Sequence, residues 1–83
     1  MSSTSPGYGI TIRVEGAPER QTVAQATTAI TNAGATITAL DVAESTLVLV
    51  VVDITCDTLD VNHAQEICVE IEKTPGLKVR KVS

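Results

Sequence analysis

The chain has 83 residues, 43% hydrophobic and 19% charged, a balance that allows one folded domain and excludes a disordered polypeptide. Ten acidic residues against six basic ones give a net charge of −4, a field that repels phosphate backbones and argues against nucleic-acid binding. Two cysteines and one histidine are too few for a disulfide framework or a zinc staple, so a core this small points to a partner subunit or a larger parent protein.

Residues 1–7 are a Ser/Thr/Pro/Gly tail without the basic and apolar regions of a signal peptide, and it is expected to fray. No stretch approaches the roughly 20 apolar residues of a membrane span. The expected setting is therefore soluble and cytoplasmic, with one domain over residues 8–83.

Residues 8–15 alternate, with Tyr8, Ile10, Ile12 and Val14 on one face and Gly9, Thr11, Arg13 and Glu15 on the other. Period two with one apolar face predicts a half-buried strand. Gly16 and Pro18 interrupt it. From Gln21 to Ala33 the period becomes helical: Val23, Ala26, Ile30 and Ala33 share a face, and Gly34 stands where a left-handed residue would end the helix. The alanines on that face predict close helix–sheet contact, in a chain with no Phe, no Trp and one Tyr.

Residues 35–42 predict a second strand and residues 47–54 a third, joined at Glu44 and Ser45 as an antiparallel hairpin. The third is apolar on both faces over this window, which predicts a central position. Asp60 suits an N-cap, and Ala64, Ile67, Cys68 and Ile71 trace the stripe of a second helix. Pro75 and Gly76 stop it, and residues 77–82 predict a short edge strand carrying Lys78, Arg80 and Lys81.

The order β-α-β-β-α-β, with right-handed crossovers, predicts a ferredoxin-like α+β fold: a four-stranded antiparallel sheet in order 4-1-3-2 with two helices on one face. Because the helices cover one face only, Val48, Val50, Val52 and Ile54 are expected on the uncovered face as a dimer interface. Two dimer geometries follow, sheets stacked over that patch or edge strands paired, with the second strand the less charged edge.

Many functions share this scaffold, and each has its own residue requirements. An RNA-recognition module needs aromatics on the central strands, where Thr, Arg and Val stand. A metal chaperone needs two thiolates in the first loop, which has none. An acylphosphatase-like enzyme needs an Asn on a strand, and none is there. With no nucleophile–base pair, glycine-rich phosphate loop or metal constellation, the chain reads as a non-enzyme.

The segments Ile12-Arg13-Val14, Ala29-Ile30-Thr31-Asn32-Ala33-Gly34 and Ala35-Thr36-Ile37-Thr38-Ala39-Leu40-Asp41-Val42 resemble an ACT domain, an effector-binding module of metabolic enzymes. With Val52-Asp53-Ile54-Thr55-Cys56-Asp57, His63-Ala64 and Gly76-Leu77-Lys78-Val79-Arg80-Lys81-Val82-Ser83, the chain looks more narrowly like the N-terminal ACT domain of bacterial NAD-dependent malic enzymes. That resemblance implies a catalytic part that oxidatively decarboxylates malate and binds NAD and a divalent metal (Mg or Mn), none of them held by this domain. It also implies an effector, an amino acid or small carboxylate, at Gly16, Ala17, Pro18, Glu19, Arg20, Gln21 and Thr22, with Ala35, Thr36 and Ile37 as neighbours. A helix N-terminus and the Arg20 fork suit an anion there. Gln21 stands where amino-acid-binding members carry a glycine. The alternative is a free-standing ACT-type sensor that binds a partner protein.

Single residues have plain structural readings beside these. His63 is expected to be structural, Cys68 a small core residue, Asp60 a cap and Asp57 a turn residue, rather than redox or cation sites.

Overall fold

The computed structural model describes residues 7–18 and 20–83, with Arg20 described by its backbone only. Of the expected tail over residues 1–7, residues 1–6 lie outside the described residues. The elements are β1 (Tyr8–Gly16), α1 (Arg20–Asn32), β2 (Thr36–Ser45), β3 (Val50–Thr58), α2 (Val61–Lys73) and β4 (Lys78–Val82). The strands form one sheet in the order β2-β3-β1-β4, every neighbour antiparallel. This is the expected ferredoxin-like arrangement.

Alternation in β1 and β3 builds the core. Ile10, Ile12 and Val14 face Cys56, Ile54 and Val52 across the ladder. All six are buried and pack with Ala26 and Ile30 of α1 and Ala64, Ile67 and Ile71 of α2. The helix ends follow local chemistry. The Asp60 side chain accepts the His63 N–H and caps α2. At the end of α1, Ala35 N–H donates to Ile30 and Gly34 N–H to Thr31, with Gly34 at φ +92°. That is a Schellman closure, and its left-handed position favours glycine.

The β2–β3 turn lies further along than Glu44 and Ser45. Thr46 N–H donates to the Leu49 carbonyl, and the Thr46 hydroxyl accepts the Val48 and Leu49 N–H groups. A threonine that satisfies its own turn in this way competes with strand pairing. The turn therefore takes Leu47 and Val48 out of the strand and leaves them 96% and 81% exposed.

The structure also corrects the expected dimer face. Val50, Val52 and Ile54 are core residues beneath the helices, and Val48 sits at the turn. The window ending at Ile54 hid the parity of β3. Continued to Thr58, the strand shows Asp53, Thr55 and Asp57 on one face and Val50, Val52, Ile54 and Cys56 on the other. The open face is thus polar, apart from Ala39 and from Val51, which is 2% exposed between Glu15 and Glu44 in register. Thr11 and Thr55 share a hydroxyl hydrogen bond at 3.0 Å, Arg13 pairs with Asp53, and Glu15 with Arg80 at 3.3 Å. A sheet-on-sheet dimer finds no apolar patch there.

Candidate functional site

The residues proposed for an effector divide between the two ends of the sheet. Gly16 closes β1 opposite Val50, whereas Thr36 and Ile37 open β2 opposite Asp57 and Cys56. Seven strand positions separate Val50 from Asp57, roughly 23 Å at about 3.3 Å per residue. β1 and β2 run parallel within the sheet, so α1 carries the chain back across its whole length. The expected neighbourhood of Gly16–Thr22 with Ala35–Ile37 does not form within one copy.

At the first end the backbone folds tightly. Thr22 is buried, and its hydroxyl donates to the Ala17 carbonyl at 2.7 Å. A Cβ on Gly16 would lie 2.6 Å from Thr22 Cγ2 and 3.1 Å from Leu77 Cδ2, so only glycine fits between β1 and α1. Ala17, Pro18 and Gln21 are exposed. Glu19 and the Arg20 side chain lie outside the described residues. At the other end Ala35 is buried and packs into the core, Ile37 is half-buried, and Thr36 is exposed.

Two surface grooves accompany these ends. One, about 500 Å³, runs between α1 and α2 and is lined by Gln21, Gln25, Thr28, Asn32, Glu70 and Thr74, with Ala24 and Ala29 between them. Its signal was present in the sequence as amides and hydroxyls recurring at three- and four-residue steps opposite the apolar stripe. The other, about 510 Å³, lies beside α2 at the β4 edge and is apolar, lined by Tyr8, Val61, Ala64, Cys68, Val69 and Val82 among others.

Arg13 and Asp53 form an ion pair on the open face of the sheet. The Arg13 guanidinium, hydrogen-bonded to Asp53, holds that carboxyl below the usual carboxylate range. Burial pushes both thiols up, Cys56 further aided by Asp57 and Cys68 by Glu72, the opposite of an activated cysteine. Asp53, Asp57 and Asp60 do not converge, and among the described residues no three His, Cys, Asp or Glu side chains come together as a metal site. No described helix is long and apolar enough to cross a membrane.

No family model matches the sequence, and no curated protein matches it. Solved structures do match the fold. The ACT domain of the GTP pyrophosphokinase of Chlorobium tepidum superposes with a TM-score of 0.72 at 14% identity, over 93% of this chain and 96% of that one. A homoserine dehydrogenase from Thiobacillus denitrificans matches with a TM-score of 0.63 at 16% identity, over 94% of this chain but 17% of the enzyme. The described residues have the fold of an ACT domain.

Proposed function

We propose that this chain is a regulatory, small-molecule-binding module of the ACT type rather than a catalyst. The observation that carries the reading is the domain-to-domain match, which spans nearly the whole of both chains. The effector class is an amino acid or small carboxylate, received by the α1 N-terminus and Arg20.

Dimerisation completes the proposal. β2 is an edge strand, and its Leu40 and Val42 lie in register with Ile54 and Val52, on the helix side, yet stay exposed. β4 presents Lys78, Arg80 and Lys81 instead, where like charges would meet in self-pairing. Antiparallel pairing of β2 with its copy brings Leu40 and Val42 of the two subunits together. It also sets the Thr36 end of one strand beside the Ser45 end of the other, the end that holds Gly16. The effector groups that lie apart within one copy then approach each other across the two-fold.

As parent we propose an NAD-dependent malic enzyme whose catalytic part binds NAD and a divalent metal. This rests on the sequence resemblance in residues 52–57, 63–64 and 76–83. A free-standing sensor stands equally beside it, and the coding sequence after Ser83 separates the two.

The test is calorimetric titration with amino acids and C4 dicarboxylates, alongside sedimentation equilibrium. Binding tighter than about 1 mM, weakened by Arg20→Ala and lost in a monomeric Val42→Lys variant, is the expected result. No binding from the whole panel overturns the effector reading, and a monomer at high concentration overturns the dimer.

A further inference from the structure

His63 stands in the first turn of α2, 8% exposed, with both ring nitrogens engaged. The backbone N–H of Leu59 donates to Nδ1 at 2.9 Å, and Nε2 lies 2.7 Å from the carbonyl oxygen of Ala33. A peptide N–H can only donate and a carbonyl can only accept. Nδ1 must therefore carry the lone pair and Nε2 the proton, so the partners themselves select the neutral Nε2–H ring. One side chain thus joins the last turn of α1 to the turn that leads into α2. Gly34 lies beside the ring: a Cβ there would be in ordinary contact with Nε2, at 3.5 Å.

We propose that His63 is a pH-sensitive clasp between the two helices. A proton taken from solvent at Nδ1 sets an N–H against the Leu59 N–H, and that hydrogen bond is lost while the Ala33 bond survives. The Leu59 N–H turns outward, and the turn before α2 loosens from the Gly34–Ile37 segment. Surrounding charge does little to oppose this. The end of α1 and the start of β2, from Asn32 to Ile37, bring only uncharged side chains. The β3–α2 turn brings Asp60, whose carboxylate is held by the His63 N–H, while Asp57 lies on the opposite sheet face beside Gly9. Glu66 follows one turn on along α2. The two helix ends act in opposite senses on a cationic ring, α2 disfavouring it and α1 favouring it. What remains is the donor–donor conflict at Nδ1. The device stands on the fold alone and is independent of the effector reading.

The test is nuclear magnetic resonance on the uniformly nitrogen-15-labelled chain, titrated from about pH 8 to about pH 5. At the alkaline end the ring is expected to report a protonated Nε2 and an unprotonated Nδ1. As the ring charges, the Leu59 amide resonance should move with it. Exchange of that amide, corrected for intrinsic pH dependence, should rise about tenfold, with Gly34 and Ala35 shifting in step. His63→Gln supplies one donor and one acceptor without a titratable ring and should abolish the step. A charged ring or the other tautomer at about pH 8 overturns the proposal, as does a ring that stays neutral down to about pH 5. So does a Leu59 amide that stays unchanged while the ring titrates, or the same step persisting in His63→Gln. If that variant fails to fold, the wild-type titration alone decides.

Discussion

Arg13 and Asp53 face each other across the β1–β3 ladder and meet in two hydrogen bonds, Nε to Oδ1 at 2.8 Å and Nη2 to Oδ2 at 2.9 Å. The fork geometry matches a carboxylate with both of its oxygens and gives the pair direction as well as charge attraction. It lies on the open face of the sheet, with Asp41 next in register beyond Asp53 and Lys81 beside Arg13. The face that the helices leave bare therefore carries polar side chains, with Thr11–Thr55, Arg13–Asp53 and Glu15–Arg80 paired.

The pair predicts a pH dependence whose sign follows from its direction. Arg13 lowers the Asp53 pKa in the folded state, so the stabilisation is fully present above the ordinary carboxylate range and is lost as pH falls through the lowered value. Asp53→Asn should flatten the acid limb of a urea-midpoint-against-pH curve and leave its alkaline limb unchanged. An acid limb as steep as that of the wild type would remove Asp53 as its source.

Core and turn should separate sharply under substitution. Ile54→Ala empties a fully buried position between β1 and the helices and should cost about 3 kcal/mol, a large part of the stability of a domain this small. Val48→Ser at the exposed turn should stay within about 0.5 kcal/mol. Urea unfolding of the two variants at one protein concentration checks both, because concentration also shifts the midpoint of a dimer.

Gly16→Ala should destabilise by about 1–3 kcal/mol because the new methyl group meets Thr22 and Leu77. The closer obstacle is Thr22 Cγ2, so adding Thr22→Ser should recover part of the loss while keeping the hydroxyl bond to Ala17. A double-mutant cycle measures that coupling. Strict additivity would show that the glycine serves something other than this packing.

Both thiols should be sluggish. Burial raises the pKa of Cys56 and of Cys68, so little thiolate is present near neutrality. Alkylation by iodoacetamide at about pH 8 should be at least about tenfold slower in the native chain than in urea, with Cys56 the slower of the two. Mass spectrometry of the peptides resolves the sites.

Element order, topology and the helix that ends at Gly34 were legible in the sequence alone, because they rest on local periods and on chain chirality. The alternation of Tyr8 to Glu15, the helical spacing of Val23, Ala26 and Ile30, and the Asp60 cap each bias the backbone within a few residues. Which face of β3 is buried shows in the sequence only when the strand is followed to Thr58, where Asp53, Thr55 and Asp57 alternate with Ile54 and Cys56. Residues 47–52 are apolar at both parities, and pairing with Ile12 and Val14 makes Ile54 and Val52 the inner set. That Gly16 and Thr36 stand at opposite ends follows from the topology itself, because two parallel strands joined by a helix must begin at the same end of the sheet. Tertiary structure alone decided that the turn forms at Thr46 and leaves Leu47 and Val48 outside the strand. The role of His63 was equally out of reach of any pattern. Its partners, Leu59 and Ala33, offer backbone groups that every sequence has, and folding alone brings them to one ring.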